Sequence, residues 1–319
     1  MSGLKAVILA GGYATRLWPV TKDRSKVLLP INEEETVIDR LVKQLNETSE
    51  VSDIYVSTNE RFAGDITSHF DNKGYDNVAV SVESTETEDR KLGVVGALSQ
   101  LVNREELRGD DLFIIGGDNY MSVHLSELIG SYSGDPALAT YDVKSKEKAT
   151  SYGVVNVEDS YIQEFEEKPD NPSSTLVSTA CYLMPSEHVL FDEYLSDDNN
   201  PDEPGWYMQW LSEKSDIQAI PFEGDWLDIG TMDDYLQSIR VEMKGDNYIS
   251  SQSELSDVDL NGNNIVLGES RLSNCSITNT VVFDGGVLEN CSAQSTLVDS
   301  STYVSEADLE DAMISTDKF

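Results

Sequence analysis

The chain changes its pattern near residue 245, and that change limits the folds open to it. Up to about 244, short β-rich runs alternate with helical patterns, with strands expected at 4–10, 53–58, 78–82, 112–116 and 137–143. Between them Val37, Ile38, Leu41, Val42 and Leu45 mark one helical face, and Thr36 and Asp39 stand where a capping box would start that helix. Leu98, Leu101 and Val102 continue a second helical pattern. This alternation predicts an α/β domain over residues 1–244, built on a mostly parallel sheet covered on both faces. Ligands of such sheets bind beyond the carboxyl ends of the strands.

From 245 the helical period disappears, and short apolar pairs recur between Asn, Ser, Asp and Gly. "NCSITNTV" at 274–281 returns as "NCSAQSTL" at 290–297, an offset of 16, and "LEN" at 288–290 is echoed by "LED" at 309–311. Such repeats predict a solenoid over 245–319 whose coils bury apolar residues only by stacking. Cys275 and Cys291 hold equivalent places in it. A sandwich-like tail is the alternative.

Charge narrows the partners. The chain carries 59 acidic and 22 basic residues, a net charge of −37, and the acids are spread along its length. Either a positively charged partner or a salt-rich cytoplasm accounts for this; in molar salt, repulsion reaches only about 3 Å. The even spread and the scarcity of lysine favour the salt, and so a halophile. The field repels nucleic acid, so neither DNA nor RNA is an expected partner. The longest apolar runs are strand-sized, so no membrane span is expected, and the start does not read as a signal peptide. The expected compartment is the cytoplasm. Cys181, Cys275 and Cys291, with His69, His124 and His188, show no metal-ligand spacing, and the thiols read as buried and structural.

Against that acidity, the stretch "AVILAGGYATRLWPVTKDRSKVLLPI" at 6–31 stands out. Four of the 22 basic residues, Arg16, Lys22, Arg24 and Lys26, fall within eleven positions. The strand before them runs into Gly11-Gly12, where the backbone can turn tightly and bring N–H groups against phosphate oxygens. A plain tight turn is the alternative, and neither a Walker loop nor Gly-x-Gly-x-x-Gly is present. The basic residues favour phosphate: a guanidinium matches it in a bidentate fork, and a lysine serves as a mobile point charge.

"LAGGYATRL" followed by "SKVLLP" resembles the signature of the sugar-1-phosphate nucleotidylyltransferases, most closely the glucose-1-phosphate thymidylyltransferase and uridylyltransferase branch. "GGDN" at 116–119, "SYGVV" at 151–155, "FEEKP" at 165–169 and "WLDIGT" at 226–231 follow in the family's order. The resemblance covers roughly residues 4–240 and implies a Rossmann-like domain followed by a left-handed β-helix. It implies an NTP and a sugar-1-phosphate as substrates, with Mg²⁺ as cofactor. Arg16 and Lys26 would hold the triphosphate and the leaving pyrophosphate, with Asp118 as the third catalytic residue. Leu9, Gly11, Gly12, Glu83 and Gly93 would form the nucleotide site. Tyr152, Gly153, Glu167 and Lys168 would hold the sugar phosphate. Asp118, ending a strand, and Asp228, just before a helix that Thr231 and Asp234 would cap, would bind the metal through hard oxygens. Each of these aspartates alone would read as a turn or cap residue, and Glu167-Lys168 as a surface ion pair.

The chain departs from the family at Ala14, where glycine is usual, at Ile229, where threonine is common, and at Ala180-Cys181, where glycine often precedes the tyrosine, here Tyr182. An ionised Glu83 only accepts hydrogen bonds. It suits the N3–H of uracil or thymine, or the N1–H of guanine, and disfavours adenine. With the branch that the motifs resemble most, the resemblance implies dTTP or UTP with glucose-1-phosphate as the expected substrates. The alternatives are a mannose-1-phosphate guanylyltransferase and a non-catalytic regulatory subunit on the same scaffold. A β-helix acyltransferase is set aside because residues 245–319 hold no histidine. The flat coils of a solenoid offer a surface for a homo-oligomer.

Overall fold

The computed structural model describes residues 3–83 and 92–316. They fall into two compact units. One comprises the chain up to Gly12 with Leu41–Trp226; the other comprises Tyr13–Arg40 with the chain from Leu227 onward.

The first unit contains β1 (Leu4–Leu9), β2 (Val51–Asn59), α2 (Glu60–Lys73), β3 (Val78–Glu83), α3 (Val94–Arg104), β4 (Leu112–Gly116) and β5 (Asn119–Met121). Helix α1 (Val37–Asn46) leads into it. There follow α4 (Leu125–Gly130), β6 (Ala137–Asp142), α5 (Lys146–Ala149), β7 (Gly153–Glu158), β8 (Tyr161–Glu167) and β9 (Leu176–Met184). The unit is completed by α6 (Phe191–Ser196), α7 (Pro204–Ser212) and β10 (Gln218–Pro221). Among the described residues the main sheet has nine strands, in the order β3-β2-β1-β4-β9-β6-β10-β8-β7. Strand β4 is buried at every position, and Ala6, Val7 and Ile8 of β1 are fully buried, as both-face covering requires. In α3 the residues Val95, Leu98, Leu101 and Val102 are buried with helical spacing. The expected capping box of α1 is formed: Thr36 N–H donates to Asp39 Oδ2 at 2.9 Å, and Asp39 N–H donates to Thr36 Oγ1 at 3.4 Å.

The expected mostly parallel sheet is corrected to a mixed one. The pairs β3–β2, β2–β1, β1–β4 and β6–β10 are parallel. However, β9 runs antiparallel to both β4 and β6, and β7 and β8 form an antiparallel hairpin. Asp159 and Ser160 turn that hairpin with φ of 50° and 69°, the pair of left-handed residues a tight hairpin needs. Asp-Ser is a weaker hairpin signal than Asn-Gly, which hid these strands in the sequence.

In the second unit, β11 (Trp226–Asp228, its last two residues here) leads through Thr231 into α8 (Met232–Met243), whose capping box with Asp234 is complete. Beyond α8 the chain forms stacked coils. Tyr248–Ile249, Ile265–Val266, Val281–Val282, Leu297–Val298 and Met313–Ile314 pair in parallel as one face. Two more parallel ladders come from Glu254–Asn261, Arg271–Thr278 and the strands that follow them at an offset of 16 or 17. Corners recur with positive φ at Asn274, Asn290 and Glu306, at Asn279, Ser295 and Asp311, and at Glu269, Gly285 and Ser301. Three parallel ladders with three recurring corners per coil make a β-helix-like stack, a solenoid of the kind the repeat predicted. Leu272, Ile277, Leu288 and Val298 fill it, and Cys275 and Cys291 occupy equivalent buried places on successive coils. All three cysteines are free thiols.

Candidate active site

The parallel half of the sheet gathers the first group of candidate residues. Leu9 ends β1, and its carbonyl accepts a hydrogen bond from Gly117 N–H at 2.8 Å, tying the Gly-Gly-Asp loop to the Gly-Gly turn. Asn59, at the end of β2, donates through Nδ2 to the Gly11 carbonyl at 2.8 Å and caps α2. Glu83 ends β3, and its carboxylate packs directly on Gly11: a Cβ there would lie 2.5 Å from Glu83 Oε1. Asp118 follows β4 and folds back beside Gly116. Adjacent carboxyl ends of β1, β2, β3 and β4 thus bring Gly11, Gly12, Glu83 and Asp118 to one edge. Gly93 begins α3 with φ of 73°, and its missing side chain makes room for the Pro201 carbonyl, which accepts from Val95 N–H at 2.9 Å.

A second group lies around the β7–β8 hairpin. Glu167 closes β8 and is nearly buried. Its carboxylate is wedged between two glycines: a Cβ on Gly205 would come within 1.7 Å of Oε2, and one on Gly153 within 2.8 Å. Burial pushes the Glu167 pKa up to about 7, the Lys168 ammonium offsets part of that, and the Glu203 charge adds to it. Lys168 takes a left-handed φ of 46°, donates its N–H to the Tyr152 carbonyl at 3.1 Å, and pairs through Nζ with Glu203 at 2.5 Å. Tyr152 packs against Trp226 with ring centres 5.0 Å apart, and Trp226 Nε1 donates to Asn119 Oδ1 at 2.6 Å.

The second unit gathers the cations with the loop of "WLDIGT". Arg16 stands on a short 3₁₀ turn (Thr15–Leu17) and lies over Gly230, where a Cβ would be 2.6 Å from Nη2. Lys26, on the next such turn (Lys26–Leu28), donates through Nζ to the Ile229 carbonyl at 3.3 Å. Asp228 ends β11 immediately before, and Gly230 N–H donates to its carbonyl at 2.7 Å. Within this unit the basic loop and the Asp228 loop are one local structure, which their separation by some two hundred residues in sequence conceals.

Two departures from the family have a backbone meaning. Ala14 and Ala180 both adopt left-handed φ, 49° and 51°, where glycine carries no steric penalty. Ala180 sits where the β6–β9 register shifts, the bulge position that favours glycine.

Sequence reading missed Glu203, Gly205, Gln209 and Asn119. Glu203 holds Lys168, Gly205 makes room for Glu167, Gln209 Oε1 accepts from Glu167 N–H at 3.0 Å, and Asn119 anchors Trp226. Only Asn119 carried a signal, as the last letter of "GGDN".

The model of the nucleotidyl transferase family matches residues 5–244. A Sulfolobus acidocaldarius protein described as a mannose-1-phosphate guanyltransferase is 27% identical over 289 residues, covering 88% of this chain and 76% of that one. A UTP–glucose-1-phosphate uridylyltransferase of Synechocystis is 26% identical over 254 residues, covering 74% of this chain and 63% of that one. Among solved structures, a Bacillus anthracis protein described as a glucose-1-phosphate thymidylyltransferase superposes with a TM-score of 0.63 at 25% identity, over 75% of this chain and 94% of that one. With the family match spanning most of its length and the ordered motifs in place, the chain belongs to the nucleotidyl transferase family, as one of its sugar-1-phosphate nucleotidylyltransferases.

Proposed function

We propose that this enzyme transfers the nucleotidyl group of dTTP or UTP to glucose-1-phosphate. An oxygen of the sugar phosphate attacks the α-phosphorus, the bond to the bridging oxygen of the β-phosphate breaks, and pyrophosphate leaves. Two polyanions must be held in line, so the work is positioning and charge neutralisation. Arg16 and Lys26 neutralise the triphosphate and the departing pyrophosphate. Glu167 accepts hydrogen bonds from sugar hydroxyls, Lys168 holds the sugar phosphate, and Tyr152 and Gly153 line the sugar pocket.

The observation that bears on the base is the Glu83 carboxylate packed on Gly11, an acceptor beside the proposed phosphate-binding turn that suits uracil, thymine or guanine and disfavours adenine. The resemblance to the thymidylyl and uridylyl branch supports dTTP or UTP. A second reading, GTP with mannose-1-phosphate, is supported by the Sulfolobus relative, and the same carboxylate would accept from guanine N1–H. Asp118 and Asp228 offer hard oxygen donors. Among the described residues, no three His, Cys, Asp or Glu side chains cluster as a metal site. Two carboxylates suit Mg²⁺, which keeps waters and substrate phosphates in its shell. When bound, that ion would neutralise phosphate charge. The catalytic domain is taken as 1–244. The tail, 245–319, is taken as a left-handed β-helix serving a homo-oligomer in the cytoplasm.

The test is pyrophosphate release in concentrated KCl with Mg²⁺, pairing glucose-1-phosphate and mannose-1-phosphate with each NTP in turn. Turnover confined to dTTP or UTP is the expected result, with loss in Asp118→Asn and Asp228→Asn. Turnover only with GTP would move the assignment to guanylyl transfer. An unchanged NTP preference in Glu83→Gln would refute the role given to Glu83.

A further inference from the structure

The basic run holds four cations, and the proposed chemistry uses two. Arg24 turns elsewhere. Its guanidinium lies over the Phe283 ring at 4.2 Å, donates through Nη2 to Ser300 Oγ at 2.8 Å, and has Nη1 3.9 Å from Asp299 Oδ1. Phe283 and Asp299 are buried residues of the β-helix, and Asp299 Oδ1 also accepts from Ser300 N–H at 2.8 Å. Arg24 is therefore seated on a prepared surface of two successive coils, some 276 positions away in sequence. A planar cation that stacks on a ring and meets a hydroxyl and a carboxylate at its edge holds one orientation, which a lysine could not reproduce.

The segment that follows is short and held at both ends. Ser25 is buried and precedes the turn that carries Lys26. At the far end, the Pro30 carbonyl accepts from the hydroxyl of fully buried Tyr235 on α8 at 2.7 Å. Between these anchors Lys26 extends to the Ile229 carbonyl beside Asp228. Arg24 is two residues from Lys26, so a displaced Arg24 moves the backbone that aims the ammonium.

The geometry points to Arg24 as a positioning residue through which the β-helix sets the place of Lys26, making the solenoid part of the triphosphate site. This rests on the proposed role of Lys26 toward the triphosphate. It gives the β-helix a task in each subunit, independent of assembly.

The test compares wild type with Arg24→Met, which keeps the stem and removes the fork, and with Arg24→Lys, which keeps the charge. Michaelis constants are measured separately for the NTP and the sugar-1-phosphate, and amide hydrogen exchange is followed over residues 25–31. Arg24→Met is expected to raise the NTP KM tenfold or more, leave the sugar-1-phosphate KM within twofold, and speed exchange in 25–31. Arg24→Lys should recover only part of the loss. Ser300→Ala added to Arg24→Met should cost nothing further, because both act through one contact. Folded Arg24→Met with an unchanged NTP KM and unchanged exchange would overturn the inference. So would an equal rise in both KM values, which marks general loosening. A wild type without turnover on any pair would refute the functional reading instead, and the exchange measurement would then decide whether Arg24 holds the segment.

Discussion

Replacing Glu167 by glutamine should stabilise the protein in alkaline buffer while impairing it as an enzyme. Glu167 is 9% exposed, and its pKa is raised from 4.5 to about 7, first by burial and then by the charge of Glu203, against the opposing pull of Lys168. Burial, with a smaller contribution from the Glu167 charge, pushes the Tyr182 phenol up. A carboxyl with a folded pKa above its unfolded value keeps a proton that the unfolded chain releases. Its contribution to stability is therefore full below pH 4.5 and is lost as pH rises through about 7. At about 1.4 kcal/mol per tenfold change in proton affinity, holding Glu167 ionised in the fold costs about 3 kcal/mol. Glutamine has nearly the same shape and never ionises. Denaturant unfolding of wild type and Glu167→Gln, in matched salt, should give a variant more stable by about 3 kcal/mol at pH 8.5 and little different at pH 5. The same ionisation should appear in catalysis, because only the carboxylate accepts two sets of hydroxyl hydrogen bonds. The wild-type KM for sugar-1-phosphate should rise as pH falls through about 7, and the variant's KM should be high and flat. A stability difference that does not change with pH would refute the reasoning.

Other substitutions test the remaining contacts. Gly205→Ala places a Cβ 1.7 Å from Glu167 Oε2, and displacing that carboxylate should cost on the order of a hundredfold in kcat/KM for sugar-1-phosphate, with the NTP KM little changed. Gly230→Ala puts a Cβ 2.6 Å from Arg16 Nη2 and should raise the NTP KM roughly tenfold, the equivalent of about 1.4 kcal/mol. Leu288→Ala, at a fully buried place in the β-helix, should lower unfolding stability by about 3 kcal/mol in denaturant melts. Ala180→Gly relieves a left-handed alanine and should raise stability by up to about 1 kcal/mol, whereas Ala180→Val should lower it.

Patterns that depend on near neighbours were legible in the sequence. Apolar runs placed β1, β2, β3, β4 and β6 within two residues of their ends, because a buried strand must be apolar wherever both faces are covered. Thr36 with Asp39 announced a helix start, since a capping box is complete within four residues. The 16-residue repeat foretold the stacked coils, each of which repeats the same corners and fillings. Chemistry written as contiguous motifs was legible too, and the family match follows them.

What depended on distant partners was not legible. The antiparallel course of β9 is set by its neighbours β4 and β6, and nothing within residues 176–184 states a direction. The raised pKa of Glu167 needs the burial provided by Gly153, Gly205 and α7, while the isolated tetrapeptide Glu-Glu-Lys-Pro would be solvated. Lys168 carries the same letter whether it is free or paired with Glu203. Arg24 looked like one more phosphate-binding cation until the fold laid it on Phe283 and Ser300. The sequence by itself determined the five apolar strands, the capped start of α1, the repeating coils and which residues bring charge, because those properties are local. The tertiary structure alone decided which of those charges are buried, paired or left to face a substrate, because desolvation and pairing are set by atoms from elsewhere in the chain.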